Sequence, residues 1–182
     1  MMRGSKYYNN LRQEISKQVV TAITQKHSQL NGHLKITPLD INARRALILQ
    51  WPKNPDVERS VGTPEEWVEK IKEYIKKYSA RMELAMWHDQ NLCAVMLGKV
   101  SRKRLTLKIN YLEGASNITF LNGFRLEIAI LYAEAFASAL NIKWVGIQNP
   151  YDGVIPAYKI NGYTQPDPFD KNNNALYKEI QP

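Results

Sequence analysis

The sequence predicts a mixed α/β fold of the α+β type, with a mostly antiparallel central sheet, flanking helices and an extra N-terminal helix. Two observations support this prediction. Three strand-like segments, 82–87, 92–100 and 105–112, follow one another through short turns, which indicates an antiparallel meander. The segment 124–140 is apolar on nearly every side, and the strand-like segment 142–148 follows it directly. This order indicates a buried helix within a parallel crossover.

The chain is expected to form one domain, 1–182, that begins with a helix. Residues 7–30 carry apolar side chains at three- and four-residue steps, which predicts an amphipathic helix. We therefore expect a helical extension at 1–31 and a core at 33–180, with a last strand at 175–180. The apolar stripe of the first helix consists of Tyr8, Leu11, Ile15, Val19 and Ala22.

Two further helices are predicted before the meander. A short alternating strand at 33–39 is followed by Asp40, a suitable N-cap for a helix over 41–50. The run Thr63-Pro64-Glu65-Glu66 predicts the start of the next helix, which ends near residue 79. Thr63 can cap the amide of Glu66 while Glu66 reaches back to the amide of Thr63, and Pro64 suits the first helical position.

The composition is that of a globular protein with an excess of positive charge. The 25 Lys and Arg against 17 Asp and Glu give a net charge of +8, and 44% of the residues are apolar. Such a charge favours phosphorylated cofactors, nucleic acid, acidic proteins or acidic membranes, and does not choose among them. An ordinary solvated hairpin explains the densest basic cluster as well as a binding surface does. That cluster contains Lys99, Arg102, Lys103, Arg104 and Lys108.

Several classes of protein are disfavoured by the sequence. No apolar run approaches the ~20 residues needed to span a bilayer, and the polar segment 1–10 lacks the apolar core of a secretory signal. We therefore expect a cytoplasmic protein without a membrane partner. The single cysteine, Cys93, excludes an internal disulfide and a cysteine-based metal site. The three histidines, His27, His33 and His88, are scattered without a pairing motif, so no metal site is expected.

The segment after the predicted fifth strand carries the best local motif. Asn149 is followed by Ala157-Tyr158-Lys159-Ile160-Asn161-Gly162-Tyr163. With the order of elements, this segment resembles the GNAT superfamily of acyl-coenzyme-A-dependent N-acyltransferases over residues 33–180. That family often carries an Asn here, then an Ala, then Tyr-x-x-x-Gly-Phe, and Tyr163 replaces the Phe. The resemblance implies that Tyr158 is a general acid that protonates the leaving thiolate. The alternative is a core tyrosine packed under the sheet.

The loop before the buried helix departs from the family pattern. GNAT proteins carry Gln/Arg-x-x-Gly-x-Gly/Ala there, and backbone amides of that motif bind the pyrophosphate. This chain has Phe120-Leu121-Asn122-Gly123-Phe124-Arg125, in which only Gly123 aligns. Arg125 can contact a phosphate, or it can equally fill the pocket. The resemblance implies that the acyl donor, acetyl-CoA, is bound by Leu112, Asn122, Gly123, Phe124, Arg125 and Asn149.

The resemblance also implies a general base and an acceptor region. A carboxylate on the second strand or at the end of the fourth often acts as the base, which suggests Glu83 or Glu113; solvated or structural carboxylates are the alternative. The family binds its acceptor over the first two core helices and the loop between them, here residues 51–63. Trp51 can be a specificity wall or a core tryptophan; the charged residues of this loop are Asp56, Glu58 and Arg59.

Three functions are compatible with the sequence. The first is an N-acetyltransferase, in which an amine of a small molecule or protein attacks acetyl-CoA directly, without a protein nucleophile. The second is an inactive binding module of the same fold for nucleic acid or an acidic protein. No stripe of alternating aromatic and basic residues supports nucleic acid. The third is acyl transfer from an acidic acyl carrier protein. The sequence indicates neither the acceptor nor the oligomeric state.

Overall fold

The computed structural model describes residues 2–53 and 61–181. The described residues form five α-helices, six strands and two short 3-10 turns. The helices are α1 (Met2–Lys26), α2 (Ile41–Gln50), α3 (Pro64–Lys77), α4 (Arg125–Ala139) and α5 (Ile155–Ile160). The strands are β1 (Leu34–Thr37), β2 (Arg81–His88), β3 (Asn91–Val100), β4 (Thr106–Gly114), β5 (Trp144–Gln148) and β6 (Ala175–Glu179). The 3-10 turns are Ser28–Leu30 and Asp152–Val154.

The six strands form one sheet in the order β1-β2-β3-β4-β5-β6. Every neighbouring pair is antiparallel except β4 and β5, which are parallel. The predicted meander and the predicted crossover through α4 are both confirmed, as is the fold class. The ends of the predicted elements shift by a few residues; the strand predicted at 142–148, for example, begins at Trp144.

Helices pack in two groups against the sheet. Helix α4 contacts β2, β4 and β5 and is also covered by α1, which explains why its sequence is apolar on nearly every side. Tyr132 and Phe136 of α4 are fully buried in this layer. Helices α2 and α3 contact each other, and α2 contacts β3. Within residues 2–53 and 61–181, no helix is long and apolar enough to cross a bilayer.

The N-terminal helix differs in detail from the prediction. It ends at Lys26 rather than near residue 30, and its buried stripe continues from Val19 to Ile23, while Ala22 is exposed. Arg12 lies within the buried stripe and is 1% exposed. Its guanidinium donates to the carbonyl of Arg81 at 2.9 Å and lies 3.3 Å from Glu83. A buried charge with these partners fixes the position of α1 on the sheet.

The start of α3 confirms the predicted capping box. Thr63 Oγ1 accepts a hydrogen bond from the amide of Glu66 at 3.3 Å, and Glu66 Oε2 accepts one from the amide of Thr63 at 2.6 Å. Trp67, Ile71 and Tyr74 form the buried stripe of this helix. These contacts place Trp67 over the end of β4.

Strands β4 and β5 separate halfway along β4. Their pairing covers Thr106 to Ile109, while β4 continues to Gly114 paired with β3. The separation coincides with a β-bulge, because Gly98 pairs with Ile109 and Leu97 with Tyr111, so that Asn110 is the extra residue. Glycine is required opposite the bulge, since a Cβ on Gly98 would lie 2.4 Å from the carbonyl oxygen of Lys108. This separation creates the space for a site.

Candidate active site

A cavity of about 240 Å³ lies where β4 and β5 separate. Its walls come from residues 109–112 of β4, from the first turn of α4, from residues 147–151 and from α5 with the turn before it. Of the residues that the resemblance implies for the acyl donor, Leu112, Arg125 and Asn149 line this cavity. Tyr158, the candidate general acid, lines it as well. The fold thus brings together residues from four separate segments of the chain.

Tyr158 is 6% exposed and belongs to α5, whose first turn contains Pro156. Its ring packs edge-on against Tyr163, with 6.3 Å between the ring centroids. Within the described chain, no residue forms a hydrogen bond with its hydroxyl group. Burial raises the pKa of Tyr158 to about 12, so the phenol is protonated at neutral pH. A protonated phenol on a cavity wall can act as a proton donor.

Asn110 is a site residue that sequence reasoning missed. It is the bulged residue of β4 and lines the cavity, and its buried Oδ1 has no hydrogen-bond partner among the described residues. A buried amide oxygen without a donor is costly, so a ligand that carries an N–H group can satisfy it. One signal was available in the sequence, because asparagine is depleted in strand interiors.

The turn before α4 leaves backbone amides free. Leu121 O accepts the amides of Phe124 and Arg125, at 3.0 and 3.2 Å. In the described chain, the amides of Gly123, Leu126 and Glu127 have no acceptor, and Phe124 provides no side-chain cap. Gly123 has a φ of +87° and open space around its Cβ position. Free amides at a helix N-terminus attract anionic groups, so this turn fits a phosphate group.

The Arg125 side chain folds back over the end of β4. Its Nη2 donates to the carbonyl oxygen of Ile118, and a Cβ on Gly114 would lie 2.1 Å from its Nη1. Burial lowers the pKa of the guanidinium below its ordinary value. Arg125 thus fills space beside Gly114 and also forms part of the cavity wall. Asn122, which is exposed, and Phe124, which packs against His27, belong to the turn and do not line the cavity.

Asn149 is held at the end of β5 by its backbone. Its φ of +47° lies in the left-handed region, and its amide donates to Asn174 O at 2.8 Å. Its Oδ1 accepts a hydrogen bond from Gln148 Nε2 at 3.2 Å. Gln148 is bonded in turn to Lys108 and Asn173, which both donate to the buried carboxylate of Asp167. Sequence reasoning missed this network, because its members come from three distant segments.

The two candidate bases have different environments. Glu83 is 3% exposed and accepts hydrogen bonds from Arg81 at 3.0 and 2.9 Å, with Arg12 on its other side. Glu113 accepts a hydrogen bond from Trp67 Nε1 at 3.1 Å. Neither carboxylate lines the cavity, but the Trp67 ring lies 6.0 Å from that of Tyr111, which does. Glu113 is therefore linked to the cavity wall through Trp67. Glu83 instead contacts Arg12 and takes part in the packing of α1.

The expected acceptor region is only partly described. Trp51 is 3% exposed, and its Nε1 donates to Leu92 O at 2.8 Å. Both observations agree with the interpretation of Trp51 as a core tryptophan. Asp56, Glu58 and Arg59 lie outside the described residues.

Two of the histidines, which are distant in sequence, lie together in the fold. The rings of His33 and His88 stack with 5.1 Å between centroids and 8° between planes, and Asp89 contacts both. No local pattern indicates this contact, because the pairing of β1 with β2 brings the two residues together. Cys93 is fully buried, and burial raises the pKa of its thiol, as expected for a structural cysteine.

Comparison with known proteins establishes the fold and little beyond it. No protein-family model matches the sequence, and no curated protein sequence matches it. The PaiA N-acetyltransferase of Thermoplasma acidophilum, solved in complex with coenzyme A, matches 81% of this chain and 99% of its own, with a TM-score of 0.55 and 13% identity. The GNAT domain of S. lividans PAT covers 81% of this chain and 90% of its own, with a TM-score of 0.57 and 12% identity.

The N-acetyltransferase PseH of Campylobacter jejuni matches over 81% of this chain and 99% of its own, with a TM-score of 0.53 and 15% identity. All three are N-acetyltransferases or GNAT domains by name. The chain therefore has the fold of the GNAT superfamily, as the resemblance of its sequence predicts. At identities this low, the match shows the fold alone, because one fold can carry different activities.

Proposed function

We propose that this protein is an acyl-coenzyme-A-dependent N-acyltransferase, most simply one that transfers an acetyl group from acetyl-CoA to an amine. The observation that supports this proposal most is the cavity between the separated ends of β4 and β5, with Tyr158 in its wall. A protein of the same fold, PaiA, was solved in complex with coenzyme A, which shows that this fold can hold that ligand.

The residues around the cavity fit such a ligand. The free amides at the start of α4 suit its phosphate groups, and the unsatisfied Oδ1 of Asn110 suits one of its amide N–H groups. The apolar walls, Leu112, Leu126 and Ile147 among them, suit the thioester end. Acetyl-CoA supplies an activated thioester carbonyl, so that an amine can attack it directly and no protein nucleophile is needed.

Tyr158 and Glu113 are assigned the proton transfers. The neutral phenol of Tyr158 donates its proton as the thiolate departs, which a tyrosinate could not do. Glu113 is the better of the two candidate bases, because its neighbour Trp67 packs against a residue of the cavity wall. Glu83 is the weaker candidate, because it is buried between Arg81 and Arg12 and does not line the cavity.

A second candidate function is a binding module of the same fold that does not bind coenzyme A. The position of Arg125 favours it. The family has a small residue at this position, whereas here the arginine side chain occupies the space next to Gly114. In that case the net charge of +8 would serve an anionic partner, either nucleic acid or an acidic protein. Binding to nucleic acid would then weaken steeply with added salt.

The mechanism is tested by replacing Tyr158 with Phe. Turnover is followed as free thiol released from acetyl-CoA in the presence of a panel of primary amines. We expect Tyr158→Phe to lower kcat by about a hundredfold or more, the range for loss of a general acid, while the Kd for acetyl-CoA changes less than about twofold. Tyr163→Phe is the matched control, because this hydroxyl donates to Glu134 and does not line the cavity.

A core tyrosine would give the opposite pattern. Tyr158→Phe would then retain its kcat, and the substitution would act only on the free energy of unfolding. Equal losses of kcat in Tyr158→Phe and Tyr163→Phe would also contradict the assignment, because the control removes a hydroxyl that has no catalytic role in this proposal.

A further inference from the structure

Three potential metal ligands meet at the end of the sheet remote from the β4–β5 pairing. His33 Nδ1 lies 2.9 Å from Asp89 Oδ1, and His88 Nδ1 lies 3.3 Å from Asp89 Oδ2. One ligand atom of each residue lies within 4.8 Å of the others. Two imidazole nitrogens and a carboxylate oxygen thus lie close to one another.

The fold determines this arrangement through its backbone. His88 pairs with Leu34 at the end of β1 and β2, and the amide of Asp89 donates to His33 O at 2.9 Å. Asp89 has a φ of +54° at the tip of the β2–β3 hairpin, and its carboxylate contacts Nδ1 of both rings. The ring of His88 is also stacked on Phe120, at 4.8 Å and 8°. This second stacking contact restricts the rotation of the His88 ring.

His88 Nδ1 provides an independent indication of a ligand. This nitrogen is buried and forms no hydrogen bond within the described chain, although Asp89 Oδ2 is 3.3 Å away. A buried ring nitrogen without a partner is costly. A metal ion bound to that nitrogen would remove this cost, since the contact with Asp89 leaves the nitrogen without a hydrogen bond.

We propose that His33, His88 and Asp89 form a binding site for a divalent transition-metal ion such as Zn²⁺. Imidazole nitrogens and carboxylate oxygens are ligands of Zn²⁺, with bonds of about 2.0–2.2 Å, so tetrahedral ligand atoms lie about 3.3 Å apart. The ligand atoms are now up to 4.8 Å apart, and small side-chain rotations would bring them to that distance. His33 and Asp89 are about half exposed and can make them. Three protein ligands leave one position for water or a further ligand.

The test is calorimetric titration of the full chain, without a polyhistidine tag and stripped with a chelator, with ZnCl₂. The wild type should bind one Zn²⁺ per chain. His33→Ala and Asp89→Asn should each weaken binding by about tenfold or more, as is common when metal-site residues are replaced. Asp89→Asn preserves the backbone, because asparagine tolerates the left-handed region. His27→Ala is the control for nonspecific histidine binding and should leave the affinity unchanged, since His27 contacts Glu127 instead.

A thermal-shift measurement provides a second readout. Zn²⁺ should raise the Tm of the wild type and of His27→Ala, and raise it less in the two ligand variants, because a ligand that binds the folded state stabilises it. The proposal is overturned if the wild type takes up no Zn²⁺ in the micromolar range. It is equally overturned if His33→Ala and Asp89→Asn bind Zn²⁺ as tightly as the wild type does. Neither outcome depends on acyltransferase activity.

Discussion

Replacing Asp167 with Asn should destabilise the protein by about 2 kcal/mol at pH 7. The carboxylate is 2% exposed and lies in the loop between α5 and β6. Its Oδ2 accepts hydrogen bonds from Lys108 at 3.0 Å, Tyr177 at 3.1 Å and Asn173 at 2.7 Å. Its Oδ1 accepts the amides of Phe169 and Asp170. The carboxylate thereby joins β4, β6 and the loop that supports the end of β5.

The magnitude follows from the pKa of this group. Burial opposes ionisation, but the bonds from the Phe169 amide, Asn173 and Lys108 outweigh it and lower the pKa of Asp167 from 3.8 to about 2. At about 1.36 kcal/mol per pH unit, this interval corresponds to about 2 kcal/mol. Because the pKa is lower in the folded state, the stabilisation is present above pH 3.8 and is lost as the pH falls towards 2.

Urea unfolding of the wild type and Asp167→Asn at a series of pH values measures the stabilisation that this carboxylate provides. The difference in free energy of unfolding should be constant between pH 7 and about pH 5 and should shrink between about pH 4 and pH 2. Asp170→Asn is the control, because that exposed carboxylate accepts a single local amide. A difference at pH 7 no larger than that of the control would refute the reasoning, as would a difference that does not change with pH.

Three further predictions follow from individual contacts. Thr63→Ala removes one half of the capping box and should cost about 1 kcal/mol in urea unfolding, whereas an unchanged midpoint would show that the box contributes nothing. Gly98→Ala places a Cβ 2.4 Å from a backbone oxygen and should cost about 3 kcal/mol or more, while Gly153→Ala, which meets no atom within 4 Å, should be nearly neutral. Since burial raises the pKa of Tyr158 to about 12, its ionisation should cause no fall in kcat below about pH 11; a fall near pH 10 that Tyr158→Phe abolishes would contradict this raised pKa.

The elements could be predicted because their signals are local. The run from Thr63 to Glu66 contains every group of its capping box, and the apolar sequence of α4 indicates a helix covered on both sides. The strand that follows α4 then leaves few alternatives to a parallel crossover. Local periodicity was less informative at the end of α1. The predicted apolar stripe includes Ala22, which is exposed, whereas Ile23 is buried instead.

The site was only partly predictable because its geometry depends on long-range pairing. The bulge at Asn110 arises from its register with β3, and the stack of His33 on His88 arises from the pairing of β1 with β2. Tyr158 and Asn149 were found through the motif that surrounds them, and both line the cavity. From the sequence alone, the side chain of Arg125 could either fill the pocket or contact a phosphate. Its actual position depends on the space that the missing Cβ of Gly114 leaves.

Calorimetric titration of the purified protein with acetyl-CoA tests the central claim most directly. The free amides before α4 and the cavity with Tyr158 predict saturable binding of one acetyl-CoA per chain at concentrations below millimolar. Tyr158→Phe should bind with nearly the same affinity. No binding by the wild type at millimolar acetyl-CoA would contradict the acyltransferase account and would favour a binding module that has kept the fold without its ligand.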